Sequence, residues 1–178
     1  MADTIIAVKG QVNYDPKRLL DDSRMNPTFT RIVRIFLNES VKKGFSPVVH
    51  EAYRTPSRSA ALAERHSKGG PPAAHISMHN YGLAVDIKLR TAHGNEVSYG
   101  DKNSPFTFKN WLDFIKIGEN LGLINGKNHN DTDHYEYHPS WSRTNWISAK
   151  RHAKPVYDSV SGSESDKLKA VWRSAGIS

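Results

Sequence analysis

Apolar positions repeat at helical spacing in two long segments of this chain. In the first segment they lie three or four residues apart and form one continuous face. The members of this face are Phe29, Ile32, Val33, Phe36, Leu37 and Val41. Asn26 can cap the helix, Pro27 suits its first turn, and Gly44 follows its end. The pattern predicts an amphipathic helix over residues 27–43 with one face on a core.

The second long segment, residues 106–123, carries a broad stripe of side chains at the same spacing. The stripe consists of Phe108, Trp111, Leu112, Ile115 and Glu119. A further helix is predicted over residues 55–69, because Thr55 can cap it and Pro56 suits its first position.

Shorter apolar runs bounded by Pro, Gly and polar clusters predict strands. These runs cover residues 46–54, the stretch that begins near Leu83, and residues 133–139, with a short candidate at 4–8. Helices packed on a small antiparallel sheet define an α+β domain.

The composition removes several classes of chemistry. The chain has 178 residues and no cysteine, which excludes disulfides, thiolate catalysis and Cys-based zinc sites. Its formal charge of +7 favours a polyanionic partner, such as a cell wall, a membrane surface or nucleic acid. The basic residues are scattered, so we expect only weak, salt-sensitive binding to nucleic acid and no specific complex. We also expect a monomer.

Asp86 raises the question of what pairs with a carboxylate inside a strand. The run around it, residues 83–89, is otherwise largely apolar, and a buried charge is costly unless it is paired or bound to a metal. His79 lies seven residues earlier, and Gly82 permits a sharp turn between the two. A catalytic zinc ion needs three protein ligands and one open position. His134, with Asp131 three residues before it, is the best third candidate.

The order and spacing of these residues resemble one family of zinc peptidases. The pattern is Ser77-x-His79-x-x-Gly82-x-Ala84-x-Asp86, followed by Asp131-x-x-His134-x-Glu136, with a Tyr-Arg-Thr element at residues 53–55. The family includes D-alanyl-D-alanine carboxypeptidases, D-Ala-D-Ala dipeptidases and bacteriophage L-alanyl-D-glutamate endolysins. The resemblance spans residues 45–137.

The resemblance implies a role for each matching position. His79, Asp86 and His134 would be the zinc ligands at the sheet. Asp131 would be the general base, and Arg54 would bind substrate or stabilise the oxyanion.

Three further residues are expected close to this site. Ser77 and Glu136 would support the ligands, and Asp133 is a rival for the base or a supporting partner. His75, His129 and His138 are not expected to be ligands. For Arg54, a structural ion pair with Glu51 is the alternative.

The implied function is zinc-dependent hydrolysis of the L-alanyl-D-glutamate bond in the peptidoglycan stem peptide. A D-alanyl-D-alanine carboxypeptidase or dipeptidase is the alternative within the enzyme class. A metal-containing wall-binding or phage structural module without activity is the alternative outside it.

The predicted domain boundary falls after the resemblance. Residues 1–142 would form the catalytic domain, and residues 143–178 a C-terminal extension packed on it or trailing from it. The extension holds a Gly/Ser linker at 159–165 and a helix opened by Ser163. Its basic residues Lys150, Arg151, His152 and Lys154 would add affinity for the wall.

The expected site of action follows from the same resemblance. The first twenty residues contain no apolar stretch long enough for a secretory signal, and no segment is predicted to insert into a membrane. We therefore expect synthesis in the cytoplasm and action on the wall or periplasm after the inner membrane has been opened.

Overall fold

A computed structural model describes residues 17–69, 75–102 and 104–178 of the chain. Its strands are β1 (Pro47–Glu51), β2 (Ala84–Arg90), β3 (Glu96–Val97), β4 (Ile124–Gly126) and β5 (Asp131–Glu136). Its α-helices are α1 (Lys17–Leu20), α2 (Pro27–Lys42), α3 (Pro56–Ser67), α4 (Phe108–Asn120), α5 (Ala149–Ser159) and α6 (Glu164–Ser174). Two short 3₁₀ turns cover Met78–Tyr81 and Lys127–His129.

The strands form one antiparallel sheet in the order β1-β2-β5-β4, and β3 pairs with the end of β2. The predicted α+β class, with helices packed on a small antiparallel sheet, is confirmed. The predicted strand at residues 4–8 lies outside the described residues.

One face of the sheet packs on α2 and α4. We call the apolar cluster between them the main core; Phe29, Phe36, Val85, Phe114 and Tyr135 are among its buried members. Helix α2 starts as predicted, because the Asn26 side chain accepts a hydrogen bond from the Phe29 N–H at 2.9 Å. The predicted apolar face of α2 thus lies against the core. Helix α4 buries Trp111 and Ile115 of its predicted stripe, but Phe108 and Leu112 are exposed.

A second apolar cluster forms from the C-terminal helices and the turn before β2. We call it the C-terminal core; it contains Met78, Tyr81, Leu83, Ala84, Ala149, Ala153, Leu168, Val171, Trp172, Ala175 and Ile177. Residues 143–178 therefore pack against the chain on either side of His79.

Several short elements differ from the sequence-based expectation. Helix α5 precedes the linker, although only one helix after the linker is predicted, and it includes Pro155. The linker itself is short, since α5 ends at Ser159 and α6 begins at Glu164. The two-residue β3 and three-residue β4 were not predicted, because runs this short carry no recognisable period.

The helices in the described part of the chain are all too short or too polar to cross a membrane.

Candidate metal centre

His79 is presented to the site by a tight turn. The 3₁₀ turn Met78–Tyr81 ends on Gly82, whose φ of 65° is left-handed. A Cβ at Gly82 would lie 2.0 Å from the Arg24 carbonyl oxygen, so only glycine fits this close approach. The ring of His79 is buried, and its Nδ1 donates to the Ala52 carbonyl at 2.7 Å. Because a carbonyl can only accept, the lone pair of Nε2 is left to face the site.

Asp86 and His134 come from neighbouring strands. They are directly paired in the antiparallel register of β2 and β5, which places both side chains on the same face of the sheet. His134 Nε2 lies 3.0 Å from Glu136 Oε1 and donates to this carboxylate, which leaves Nδ1 as the free lone pair. Residues far apart in sequence are therefore aimed at one point by strand pairing.

The three free ligand atoms converge. His79 Nε2 lies 3.1 Å from Asp86 Oδ1 and 3.2 Å from His134 Nδ1, and the last two atoms are 3.0 Å apart. Ligands at zinc distances in a tetrahedral arrangement are roughly 3.3 Å from one another. Two imidazole nitrogens and a carboxylate oxygen with this spacing can hold a divalent metal ion. The donor set fits zinc and leaves one vertex open.

The charges around these atoms favour a cation. Burial alone would raise the pKa of Asp86, but the adjacent His79 and His134 rings hold that pKa well below its usual value. Burial alone would lower the pKa of His134, but hydrogen bonds to Asp86 and Glu136 raise it to about 10. The two carboxylates thus draw positive charge to the ring, and a metal ion on Nδ1 supplies such charge in place of a proton.

Asp131 begins β5 beside this group. Burial raises the pKa of its carboxyl, and its charge also interacts with those of His134, Asp86, His79 and Arg54. Asp131 is thus coupled electrostatically to the site, but it is not among the three residues that could hold the metal.

Asp133 is held elsewhere. Its carboxylate accepts a hydrogen bond from Ser98 Oγ at 2.5 Å, and burial raises its pKa to about 7. This placement makes Asp131 the better candidate for the base.

Arg54 is paired with Glu51, as in the alternative interpretation of this residue. Both Nε and one terminal nitrogen of its guanidinium donate to the same Glu51 oxygen, and that terminal nitrogen is 3.6 Å from Asp86 Oδ2. Glu51 also accepts from Arg58 Nε at 2.7 Å. Arg54 therefore lies near Asp86, and its hydrogen bonds go to Glu51, which also binds Arg58.

Asn80 is a supporting residue that the sequence reasoning missed. Its side chain oxygen accepts from the Ser77 N–H at 2.8 Å, and its amide donates to the Arg54 carbonyl and to Ser59 Oγ at 2.8 and 2.9 Å. Asn80 thus ties the His79 turn to the segment that follows β1. An amide residue directly after a candidate ligand in a turn was the available signal.

The surroundings of Glu136 and the three histidines that were not expected to be ligands can also be compared with the prediction. Glu136 is buried; burial opposes its ionisation, but hydrogen bonds from His134 and His138 lower its pKa. Among the described residues, the group of possible ligands contains neither His75, His129 nor His138. The ring of His129 packs against Trp146 instead.

Part of the chain matches the sequence profile of a known protein family. The sequence profile of a family described as D-alanyl-D-alanine carboxypeptidase matches residues 71–137. No curated protein matches the chain significantly in sequence.

Solved structures resemble the fold at low sequence identity. The L-Ala D-Glu endopeptidase ChiX of Serratia marcescens is 17% identical with a TM-score of 0.50, over 68% of this chain and 84% of that one. The vancomycin resistance D,D-pentapeptidase VanY, in complex with Zn(II), is 17% identical with a TM-score of 0.44, over 64% and 72%. The LD-carboxypeptidase LdcB is 16% identical with a TM-score of 0.47, over 64% and 58%.

The matched segment contains the Ser77 to Asp86 pattern and the Asp131 to Glu136 pattern on their observed turn and strands. The comparisons do not identify a bacteriophage branch. They confirm the predicted resemblance to the zinc peptidase family of D-alanyl-D-alanine carboxypeptidases.

Proposed function

We propose that this chain is a zinc-dependent peptidase that hydrolyses the L-alanyl-D-glutamate bond in the stem peptide of peptidoglycan. The observation that carries the proposal is the convergence of His79 Nε2, Asp86 Oδ1 and His134 Nδ1 within 3.2 Å of one another. The family profile over residues 71–137 supports a peptidase. The activity named for the ChiX protein supports this choice of bond.

The chain's own residues would hold and serve the metal. His79, Asp86 and His134 would be its ligands, and each histidine is fixed in one tautomer by an acceptor on its other nitrogen. A bound zinc ion supplies Lewis acidity and activates water for attack on the scissile carbonyl. Three protein ligands would leave such an ion accessible to water and substrate.

Asp131 would move the proton. Two observations support this role: the charge of Asp131 interacts with those of His134, Asp86 and His79, and burial raises the pKa of its carboxyl above the usual value. It accepts a proton from the attacking water and returns it to the leaving amine. Asp133 is less suited, because it is directed to Ser98.

Arg54 would stabilise negative charge on the substrate. Arg54 is 8% exposed, and a terminal nitrogen of its guanidinium lies 3.6 Å from Oδ2 of the proposed ligand Asp86, which supports this role. The hydrogen bond to Glu51 would hold the Arg54 side chain in this orientation before substrate binds. Ser77 would help to shape the turn that presents His79.

The proposed partner is the peptidoglycan stem peptide, and the protein would act as a monomer without inserting into a membrane. The formal charge of +7 suits an anionic wall. We extend the proposal to an endolysin of bacteriophage origin that reaches the wall after the inner membrane is opened. This extension rests on the resemblance of the Ser77 to Glu136 pattern to a family that includes such endolysins.

The decisive test compares two single substitutions with chelation. We expect the purified protein to contain zinc and to lose turnover after chelation. His79→Ala should lose both metal and activity. Asp131→Ala should keep metal but lose about 10²- to 10⁴-fold in kcat, because only the proton transfer is removed. Metal content and peptidoglycan hydrolysis are the measurements.

Each outcome of this test has a distinct meaning. Hydrolysis that continues without metal would refute the zinc mechanism. Unchanged turnover in Asp131→Ala would transfer the base to another carboxylate. A wild-type protein that holds zinc but cleaves nothing would be a wall-binding or structural module instead.

The bond is tested by digesting purified peptidoglycan and determining the fragment masses. Release of free D-Ala alone would favour a D-alanyl-D-alanine carboxypeptidase, the activity that the matched family's description names. New L-Ala carboxyl ends and D-Glu amino ends would support the proposed endopeptidase.

A further inference from the structure

The segment 138–146 follows the family-matched residues and approaches His134 on two sides, through Glu136 at its edge and by direct stacking on its face. We propose that His138 and Trp146 in this segment are positioning residues for His134. His138 fixes the edge of the imidazole through Glu136, and Trp146 covers its face. The inference rests on the proposed metal centre, in which His134 is a ligand.

The edge contact is a buried chain of hydrogen bonds. His134 Nε2 lies 3.0 Å from Glu136 Oε1, and Glu136 Oε2 lies 2.8 Å from His138 Nε2. His138 Nδ1 in turn lies 3.1 Å from the Ser142 carbonyl. The Ser142 carbonyl and the Glu136 carboxylate both only accept, so the two contacts together require a hydrogen on each ring nitrogen of His138. His138 is 0% exposed and Glu136 is 1% exposed, so water does not compete for these contacts.

These hydrogen bonds fix the orientation of the Glu136 carboxylate. A buried carboxylate needs donors on both oxygens, and His138 supplies the donor for Oε2. Oε1 is then held toward His134 and accepts from its Nε2. His134 is kept in the tautomer whose Nδ1 lone pair faces the metal site. Loss of His138 would free the carboxylate to turn away.

The face contact comes from Trp146. Its ring stacks on the His134 imidazole with centroids 5.0 Å apart and planes inclined by 21°. Gly126 leaves the space for this stack, because a Cβ there would lie 3.1 Å from the Trp146 ring and 2.4 Å from the Asp131 carbonyl oxygen. The indole limits tilting of the imidazole out of its plane.

The segment is itself anchored to the C-terminal core. The Ser140 N–H donates to the Ala175 carbonyl at 2.9 Å, and Trp141 Nε1 donates to Ser174 Oγ at 3.2 Å. Both acceptors lie at the end of α6. The C-terminal extension therefore reaches His134 through this segment.

The test measures metal affinity rather than activity. Dissociation constants for Zn²⁺ and Co²⁺ are determined by competition with a chelator, on full-length variants shown to be folded by circular dichroism. His138→Leu should weaken binding about 10- to 100-fold, as loss of an outer partner of a metal-binding histidine does. His138→Gln should recover most of the affinity, because its amide can still donate to Glu136. Long-range ¹H–¹⁵N spectra should show the Nε2–H tautomer of His134 in the wild type and its loss in His138→Leu.

His152→Leu is the matched control. His152 and His138 lie on the same Trp141 ring, at centroid distances of 5.9 and 6.1 Å. His152 Nδ1 also contacts a carbonyl, that of Ser148 at 3.0 Å, but His152 is outside the Glu136 chain. We expect its loss to leave metal affinity unchanged.

Trp146→Leu tests the face contact separately and should weaken binding by about 2- to 10-fold. If His138→Leu does not fold, His138→Gln and Trp146→Leu decide the matter. Wild-type affinity with an unchanged His134 tautomer signal in the folded variants would overturn the inference and reduce both residues to packing. Failure of the wild type to bind either metal would refute the proposed function instead.

Discussion

The two faces of the sheet are supported in different ways. Val85, Ile87 and Leu89 of β2 point into the main core, under the regular helices α2 and α4. On the opposite face, Ala84 enters the C-terminal core and Asp86 enters the metal centre. The first face rests on long periodic elements, and the second on a tight turn and helices from the far end of the chain. Fold stability and ligand placement are therefore separable in this molecule.

The largest expected difference comes from the same substitution in the two cores. Leu123 is buried in the main core and Leu168 in the C-terminal core. Each Leu→Ala change should cost about 2–5 kcal/mol in the free energy of unfolding, measured by denaturant titration with chelator present. Only Leu168→Ala should also weaken metal binding, because Leu168 packs with Met78 and Tyr81 on either side of His79. Equal metal affinity in the two folded variants would contradict the separation.

A smaller effect is expected from Gly82→Ala. The left-handed backbone of Gly82 should make this change cost about 1–3 kcal/mol, and the contact with the Arg24 carbonyl should push the His79 turn away from the site. Gly44→Ala is the control, since Gly44 has a similar φ of 85° but a Cβ there would meet no atom of the described residues within 4 Å. Thermal unfolding should show a loss of stability in both variants. Zinc affinity should fall only in Gly82→Ala. Intact zinc affinity in Gly82→Ala would show that the turn tolerates displacement.

The smallest effect is expected from Trp172→Phe. Trp172 Nε1 donates to the Tyr81 carbonyl at 2.7 Å, which links α6 to the turn that carries His79. Removal of this buried donor should cost about 0.5–1.5 kcal/mol from the hydrogen bond, with a slight loss of metal affinity. Trp111→Phe in the main core is the comparison, because Trp111 Nε1 is buried without a hydrogen-bond partner among the described residues. A larger loss of metal affinity in Trp111→Phe than in Trp172→Phe would contradict this prediction.

The elements that could be predicted from sequence are those with a long period or a strong local signal. Helix α2 follows from six apolar positions and the Asn26 cap, and the cap contact is present. The strand around Asp86 follows from its apolar run. Helix α5 was missed because it contains Pro155 and because its apolar residues are buried by distant parts of the C-terminal core, including α6 and the His79 turn. Tertiary packing outweighed local propensity there.

The candidate site also has a part that the sequence predicts and a part that it does not. The spacing of His79, Asp86 and His134 predicts one cluster, and the three ligand atoms do lie together. Asp131 and Asp133 could not be separated by spacing, since both precede His134 by a few residues. The hydrogen bond from Ser98, thirty-five positions away in sequence, directs Asp133 elsewhere. The contacts of His138 and Trp146 with the His134 system likewise depend on how the chain returns after β5.

By itself, the amino-acid sequence determined the residue types for a cysteine-free metal site, the α+β class and the helices of the main core. Those features are encoded by side chain chemistry and by periods of two and 3.6 residues, which are local properties. The tertiary structure alone decided which nitrogen of each histidine faces the cluster of possible ligands, which aspartate is held by Ser98 and where the C-terminal helices pack. These depend on single hydrogen bonds and contacts between distant segments, and such contacts leave no period along the chain.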